Sequence, residues 1–308
     1  MPVVSISRDE NRYKTVYKAL ELISEDIKKS IKGKKKILIK PNFVSDHIQL
    51  AATHVDCVRA IIDFILPFTS RKIVVAEGSA HDTFTGYRNF GYLKLKDDYG
   101  IELVDLNEDE YEEVEIFSRK VLGGFGTTTV EVAKTVLESD YRISPAMLKT
   151  HDMVIATLSM KNMVMGSVID KTDMHQGYEA INLNIYKVAK LIPIHLAVID
   201  GWEGMEGIGP VLGTSVDTRI AIASTDYVAA DSIGASAMSI DPREIGYLSY
   251  ATGKYGFEKL GEGELKKIET AGLKLEEVRR IFKLHYGYEE QRKWKVPEEK
   301  LKEVISRT

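Results

Sequence analysis

Lysines and histidines recur together at short spacing in one stretch of the chain. Residues 145–177 carry Lys149-Thr150-His151, then Lys161-Asn162, then Asp170-Lys171 and His175. An ammonium is a compact point charge suited to a carboxylate or a phosphate. An imidazole exchanges protons near neutral pH. These types assign anion binding to Lys40, Lys149 and Lys161, and orientation of a substrate oxygen to Asn42 and Asn162. They assign proton exchange to His151 and His175. A lone lysine or histidine is more often structural; clustering is what argues for a site. Met160, Met163 and Met165 are expected to line a core or a pocket.

A second signal is the glycine-rich run Val198–Pro210, with Gly201, Gly204, Gly207 and Gly209. Glycine lets a backbone approach a ligand closely. No Gly-Lys-Ser/Thr follows, and the spacing is not that of a dinucleotide loop. The run is expected to be a functional loop. Within it, Asp200 and Glu203 are suited to a hard divalent cation such as Mg²⁺, or Asp200 could fix a histidine tautomer. Farther on, Asp226 stands where a helix N-cap belongs, and Asp231 lies one turn inside that helix.

Strands alternating with helices must position these residues. Residues 3–7, 37–39, 72–76, 101–106, 141–144, 153–158, 196–200 and 219–223 have strand character. Residues 13–31, 55–68 and 178–191 have helical periodicity. That alternation predicts an α/β fold with a largely parallel sheet, layered between helices. Ligands of such sheets collect beyond the carboxyl ends of the strands, where these polar clusters fall. Residues 80–125 look less regular, and the acidic stretch 108–115 reads as a solvated loop. Lys40 and His54 are fourteen positions apart, as are Lys161 and His175, which suggests a duplicated βαβ unit. No Pro/Ser-rich linker divides the chain. The organisation expected is an α/β domain over 1–262, with a helical extension over 263–308 packing on it through Leu275, Val278, Ile281 and Phe282.

Composition bounds the function classes. The chain has 308 residues, 44% hydrophobic and 29% charged, with a net charge of −4. This is a globular balance without the basic footprint of a nucleic-acid binder. The run Lys32–Lys36 reads as a solvated helix end. No apolar stretch is long enough to span a bilayer, and the first residues lack the apolar region of a signal peptide, so a cytoplasmic location is expected. The single cysteine, Cys57, excludes an internal disulfide and leaves no ligand set for an iron–sulfur cluster. It lies in an apolar helical stretch and reads as a buried thiol. Scarce glutamine beside abundant Lys and Glu points to a thermophilic source.

Taken together, ILIKPN at 37–42, Thr53-His54, Lys149-Thr150-His151, Lys161-Asn162, Asp170-Lys171 with His175, VIDGWEGMEGIGP at 198–210 and DYVAAD at 226–231 resemble the family called DUF362. The resemblance covers about residues 35–260. Many of its members carry an added ferredoxin-like cysteine module, which this chain lacks. The family name records no established activity. The expectation is therefore an enzyme acting on a small anionic carboxylate or phosphate metabolite, by acid–base or metal-assisted chemistry, with a divalent metal as the one cofactor suggested. The alternatives are a non-catalytic binding or accessory protein linked to redox metabolism, and a structural subunit of a homo-oligomer.

Overall fold

The computed structural model describes residues 1–69, 71–119 and 126–308. The chain opens with β1 (Val3–Ser7), α1 (Arg12–Leu22), α2 (Ser24–Ile31) and β2 (Ile37–Ile39). It continues through α3 (Val55–Ile65), β3 (Ile73–Glu77), α4 (Thr83–Asn89), α5 (Leu93–Tyr99) and β4 (Glu102–Asp105). A hairpin follows, β5 (Tyr111–Ser118) and β6 (Gly126–Ala133), then α6 (Lys134–Leu137), β7 (Tyr141–His151) and β8 (Ile155–Thr157). Next come α7 (Ser159–Met165), α8 (Tyr178–Leu191), β9 (Leu196–Glu206), β10 (Thr214–Ser224), α9 (Tyr227–Ala237) and α10 (Gly246–Ala251). The last segment holds β11 (Glu269–Gly272), α11 (Leu275–Val278), α12 (Tyr288–Gln291) and α13 (Glu298–Ser306).

The main sheet runs β11-β1-β10-β9-β7-β2-β3-β4, with β8 paired to β7 beside this path. Most of its pairings are parallel; β10 is antiparallel to both neighbours, and β8 to β7. Strand alternation divides the core in two. Ile37, Ile39, Ile73 and Val75 face α1 and α3, with Val16, Leu20 and Ile61. Leu38, Ala76, Leu148 and Ile199 face the other way, onto residues of α7, α8 and α9. The mixed α/β fold, mostly parallel sheet and C-terminal helices match the sequence expectation.

Several local expectations are corrected. The helical stretch 13–31 breaks at Ile23 into two helices. The acidic stretch 108–115 largely becomes β5, where Glu113 pairs with Glu131 and Glu115 with Thr129 at a solvent-facing edge. The expectation for 120–125 lies outside the described residues. The glycine-rich run is mostly strand, since β9 extends to Glu206 and pairs with β10 through Gly204 and Val216. There glycine serves packing: a Cβ on Gly204 would stand 2.9 Å from the Leu148 carbonyl and 3.0 Å from the Phe282 ring.

The duplicated unit is absent from the topology. β2 and β3 lie side by side in parallel, whereas β8 runs antiparallel to β7 and β9 pairs with β7 instead. The C-terminal segment supplies β11, a parallel partner of β1, so the sheet itself crosses from 1–262 into 263–308. Leu275, Val278 and Phe282 are buried as expected, but Ile281 is exposed.

Candidate active site

The polar clusters do meet beyond the carboxyl ends of β2, β3 and β7. Asn42, Glu77, His151, Lys161, Lys171 and His175 are among the residues lining one cavity of about 200 Å³. A second cavity of about 500 Å³ adjoins it and shares Ala80, Lys171 and His175, adding His81 and Asn107.

The floor is a buried network. Lys40 directly follows β2 and is wholly buried. Its Nζ donates to Glu77 Oε2 at 2.5 Å, to the Pro41 carbonyl at 2.8 Å and to Asn162 Oδ1 at 3.2 Å. Burial pushes the amine down and the Glu77 carboxyl up, while their mutual attraction opposes both shifts. Asn162 donates in turn to the Lys40 carbonyl and to Ser144 Oγ. Lys40 and Asn162 thus spend their hydrogen bonds on the scaffold.

Lys149 is tied as well, without a carboxylate. Its Nζ donates to Asn42 Oδ1 at 2.7 Å, the Ala51 carbonyl at 3.2 Å and the Pro210 carbonyl at 3.4 Å. Burial, then the charge of Lys161, holds its amine well below the ordinary lysine range. Asn42 accepts through Oδ1, and its amide N–H₂ has no protein partner among the described residues. Thr53 fixes Asn42 by accepting from its backbone N–H at 2.9 Å.

Lys161 differs from both. It is 6% exposed and has no hydrogen-bond or ion-pair partner among the described residues. Burial lowers its pKa to about 8, with Asp152 opposing and Lys40 adding to the shift. Helix α7 carries it, and no side chain of the helix's own entry residue caps that helix. Asp231 of α9 does so from a distance, accepting from the Ser159 N–H at 2.8 Å, the Met160 N–H at 2.9 Å and the Ser159 hydroxyl at 2.5 Å. Asp226 caps α9 itself by accepting from the Ala229 N–H, as its position predicts.

The two histidines stand in different states. His151 is buried; its Nδ1 accepts from the Met153 N–H at 3.0 Å, which puts the proton of the neutral ring on Nε2. Burial, then the Lys161 charge, lowers its pKa to about 3, a fall that the Asp152 carboxylate, 3.0 Å from Nδ1, opposes, so the ring is neutral and a hydrogen-bond donor near pH 7. His175 sits at the exposed mouth. Its Nδ1–H donates to the Lys171 carbonyl at 2.8 Å, which leaves a lone pair on Nε2. Although the residue is exposed overall, desolvation of its ring against the cavity wall pushes its pKa down, so the ring is neutral near pH 7.

Asp200 and Glu203 lie apart from this cavity. Arg12 Nε stands 3.0 Å from Asp200 Oδ2, and its Nη2 is 3.8 Å from Glu203 Oε2. The Trp202 N–H also donates to Asp200. The acids hold a guanidinium, and no group of three or more metal-ligating side chains stands together among the described residues. The donor set does not fit a divalent cation. Cys57 is buried, as expected, and burial raises its thiol well above the ordinary range. A larger cavity of about 600 Å³ near α10 contains no histidine, and most of its cations are paired within it, Arg243 with Asp241 and Lys259 with Glu262.

Residues 37–236 match the family described as "Domain of unknown function (DUF362)". The chain belongs to the DUF362 family. This DUF362 chain is similar to the thylakoid-associated protein sll1697 of Synechocystis sp., 24% identical over 223 residues, spanning 70% of this chain and 66% of that protein. It also resembles the lactate racemase apoprotein of Thermoanaerobacterium thermosaccharolyticum, with a TM-score of 0.48 and 14% identity over 77% of this chain and 57% of that one. The chain therefore spans only part of each. Among the described residues no helix is long and apolar enough to cross a membrane.

Sequence reasoning named Asn42, His151, Lys161, Asn162 and His175, all of which line the cavity of this DUF362 domain. It left out Glu77, Asp152 and Lys171. Glu77 ends β3 at the same edge as Lys40, so the strand-end rule that found the lysine was its available signal. Lys171 sits in the cluster that yielded His175, and burial lowers its amine too. Its Nζ donates to Asn107 Oδ1 at 3.2 Å and to the Ile169 carbonyl at 3.3 Å, where the two cavities meet.

Proposed function

We propose that this protein is an enzyme acting on a small anionic metabolite, a carboxylate by preference, through proton transfer in the cleft between α7 and the carboxyl ends of β2, β3 and β7. The observation that carries this is the meeting of His151, Lys161 and His175, from three separate segments, in one cavity with amines on its walls. Lys161 and Lys171 attract the anion. Their charges are only partly compensated at the cavity wall, where Asp152 acts on Lys161 and Glu77 is bound to Lys40. The Asn42 amide and the His151 Nε2–H donate to a substrate oxygen. His175 Nε2 takes or returns the proton, since its lone pair is free and its ring is held by Lys171. No metal enters this scheme, because the acids once suited to one are committed to Arg12.

Two measurements on the full chain test it. Calorimetric titration with lactate, malonate and inorganic phosphate should detect binding that weakens at least about tenfold, or about 1.4 kcal/mol, in Lys171→Ala. NMR in D₂O should then show deuterium entering the carbon next to the bound carboxylate, and His175→Gln should abolish it. Binding without exchange would favour a non-catalytic carrier. No binding of any of these anions would remove the site from consideration.

A further inference from the structure

We propose that Lys161 is a covalent site, its amine condensing with the ketone or aldehyde carbon of a small oxo acid to form an imine. The inference deepens the reading of the cleft as a carboxylate site and rests on it. Four lysines converge there, and three have protein partners. Lys40 is bound to Glu77, Lys149 to three oxygens, and Lys171 to Asn107 and a carbonyl. Lys161 alone of the four has no partner among the described residues, although it is 94% buried. A buried ammonium without a counterion is expensive, whereas a neutral amine is not. Burial accordingly lowers its pKa to about 8. A desolvated neutral lysine is a nucleophile, and nearby cations favour that state.

The surroundings supply the other parts. Lys171, at the mouth, is placed to hold the carboxylate, so Lys161, whose charged form only adds to the attraction, can react through its neutral form. The Asn42 amide and the His151 Nε2–H are donors for the carbonyl oxygen as charge develops on it. His175 carries the lone pair that moves protons, and it senses the charge of Lys161. In the reaction the amine lone pair bonds to the carbonyl carbon, and the C=O π pair moves to oxygen. His175 carries the two amine protons to that oxygen in turn. The oxygen leaves as water and the C=N bond forms. Nothing is oxidised or reduced. A cavity of about 200 Å³ suits an acid of pyruvate size better than a nucleotide.

The test is reductive trapping of the full-length protein with pyruvate and sodium borohydride at pH 8, followed by intact-mass measurement and peptide mapping. At that pH about half of Lys161 is neutral, against under about 1% of an ordinary lysine, so its labelling should exceed that of any surface lysine by about 100-fold, while Lys40, Lys149 and Lys171 stay unlabelled because their amines are held by protein oxygens. The adduct should require borohydride and vanish in Lys161→Arg and Lys161→Met. If those variants do not fold, the wild-type peptide map decides alone. Pyruvate or lactate binding without an adduct at Lys161 would overturn the covalent role and leave the carboxylate site standing. Labelling spread evenly over surface lysines would overturn it equally. Absence of both binding and adduct would overturn the site as well.

Discussion

Lys40 and Glu77 show how little a residue's type says about its task. Both are ionisable, Glu77 lines the cavity with Lys40 buried behind it, and the two are consumed by each other. A buried ion pair adds little net stability over a packed apolar pair, but breaking it strands one charge. Lys40→Met alone is therefore expected to destabilise the fold by about 3–5 kcal/mol. The double variant Lys40→Met, Glu77→Leu should recover most of that loss. Urea denaturation of the two variants and the wild type measures both effects; equal losses in the single and double variants would show that the pair is not the cause. His151 gives a second contrast. It was expected to exchange protons, yet its environment holds it neutral, so the proposed reaction assigns proton movement to His175.

Helix α7 is the element on which the site depends. It spans seven residues, all buried, and delivers Lys161 and Asn162 on two adjacent positions. An isolated helix of that length is unstable in water, so its ends must be held by the rest of the fold. Asp231 holds the first turn. At the other end, the Gly78 N–H donates to the Gly166 carbonyl at 3.1 Å, docking α7 against the end of β3. A Cβ on Gly166 would collide with Lys40 Nζ and stand 2.6 Å from Glu77 Oε1. Gly166→Ala is thus expected to separate α7 from β3, costing roughly 1–3 kcal/mol. It should weaken carboxylate binding at a cavity the substitution does not itself line with charge. Thermal unfolding and calorimetric titration would check the two losses together; a variant with wild-type affinity would show that α7 docking does not set the site.

Across the whole molecule, stability is tied to pH by groups whose burial shifts them. His151 is buried neutral with a pKa of about 3, below its ordinary 6.5. The unfolded chain takes up this proton first as pH falls, so the contribution of His151 is full above 6.5 and declines toward 3. By pH 4 the loss from this residue is roughly 3 kcal/mol. Asp231, raised to about 7 by burial, acts in the opposite sense and penalises the fold as pH rises from 4 to 7. The difference between wild type and His151→Gln isolates the first effect: denaturation from pH 7 to 4 should show a flatter decline in the variant. The C-terminal segment is built into the same sheet and core. It gives β11 to the sheet, buries Phe282, Trp294 and Val304, and presents Gln291 Oε1 to the Ile155 N–H at 2.7 Å. A chain ended at Glu262 would expose the edge of β1 and is expected to lose its near-ultraviolet circular dichroism and aggregate. A soluble, cooperatively unfolding truncation would contradict this.

The fold class was legible in the sequence because it depends on local periodicity, and strand Val3–Ser7 and helix Tyr178–Leu191 emerged with the limits expected of them. The convergence of Lys161, His151 and His175 was legible too, since strand ends in an α/β sheet share an edge. Three things waited on the tertiary structure. Whether a strand stops or continues was settled by pairing, which drew the glycine-rich run into β9. Whether two similar segments repeat was settled by which strands adjoin. And which charges are spent was settled across 37 residues of chain for Lys40 with Glu77, and 188 for Arg12 with Asp200. Burial and counterions are properties of neighbours in space. The sequence therefore names the chemical groups, while packing decides which of them remain free to act.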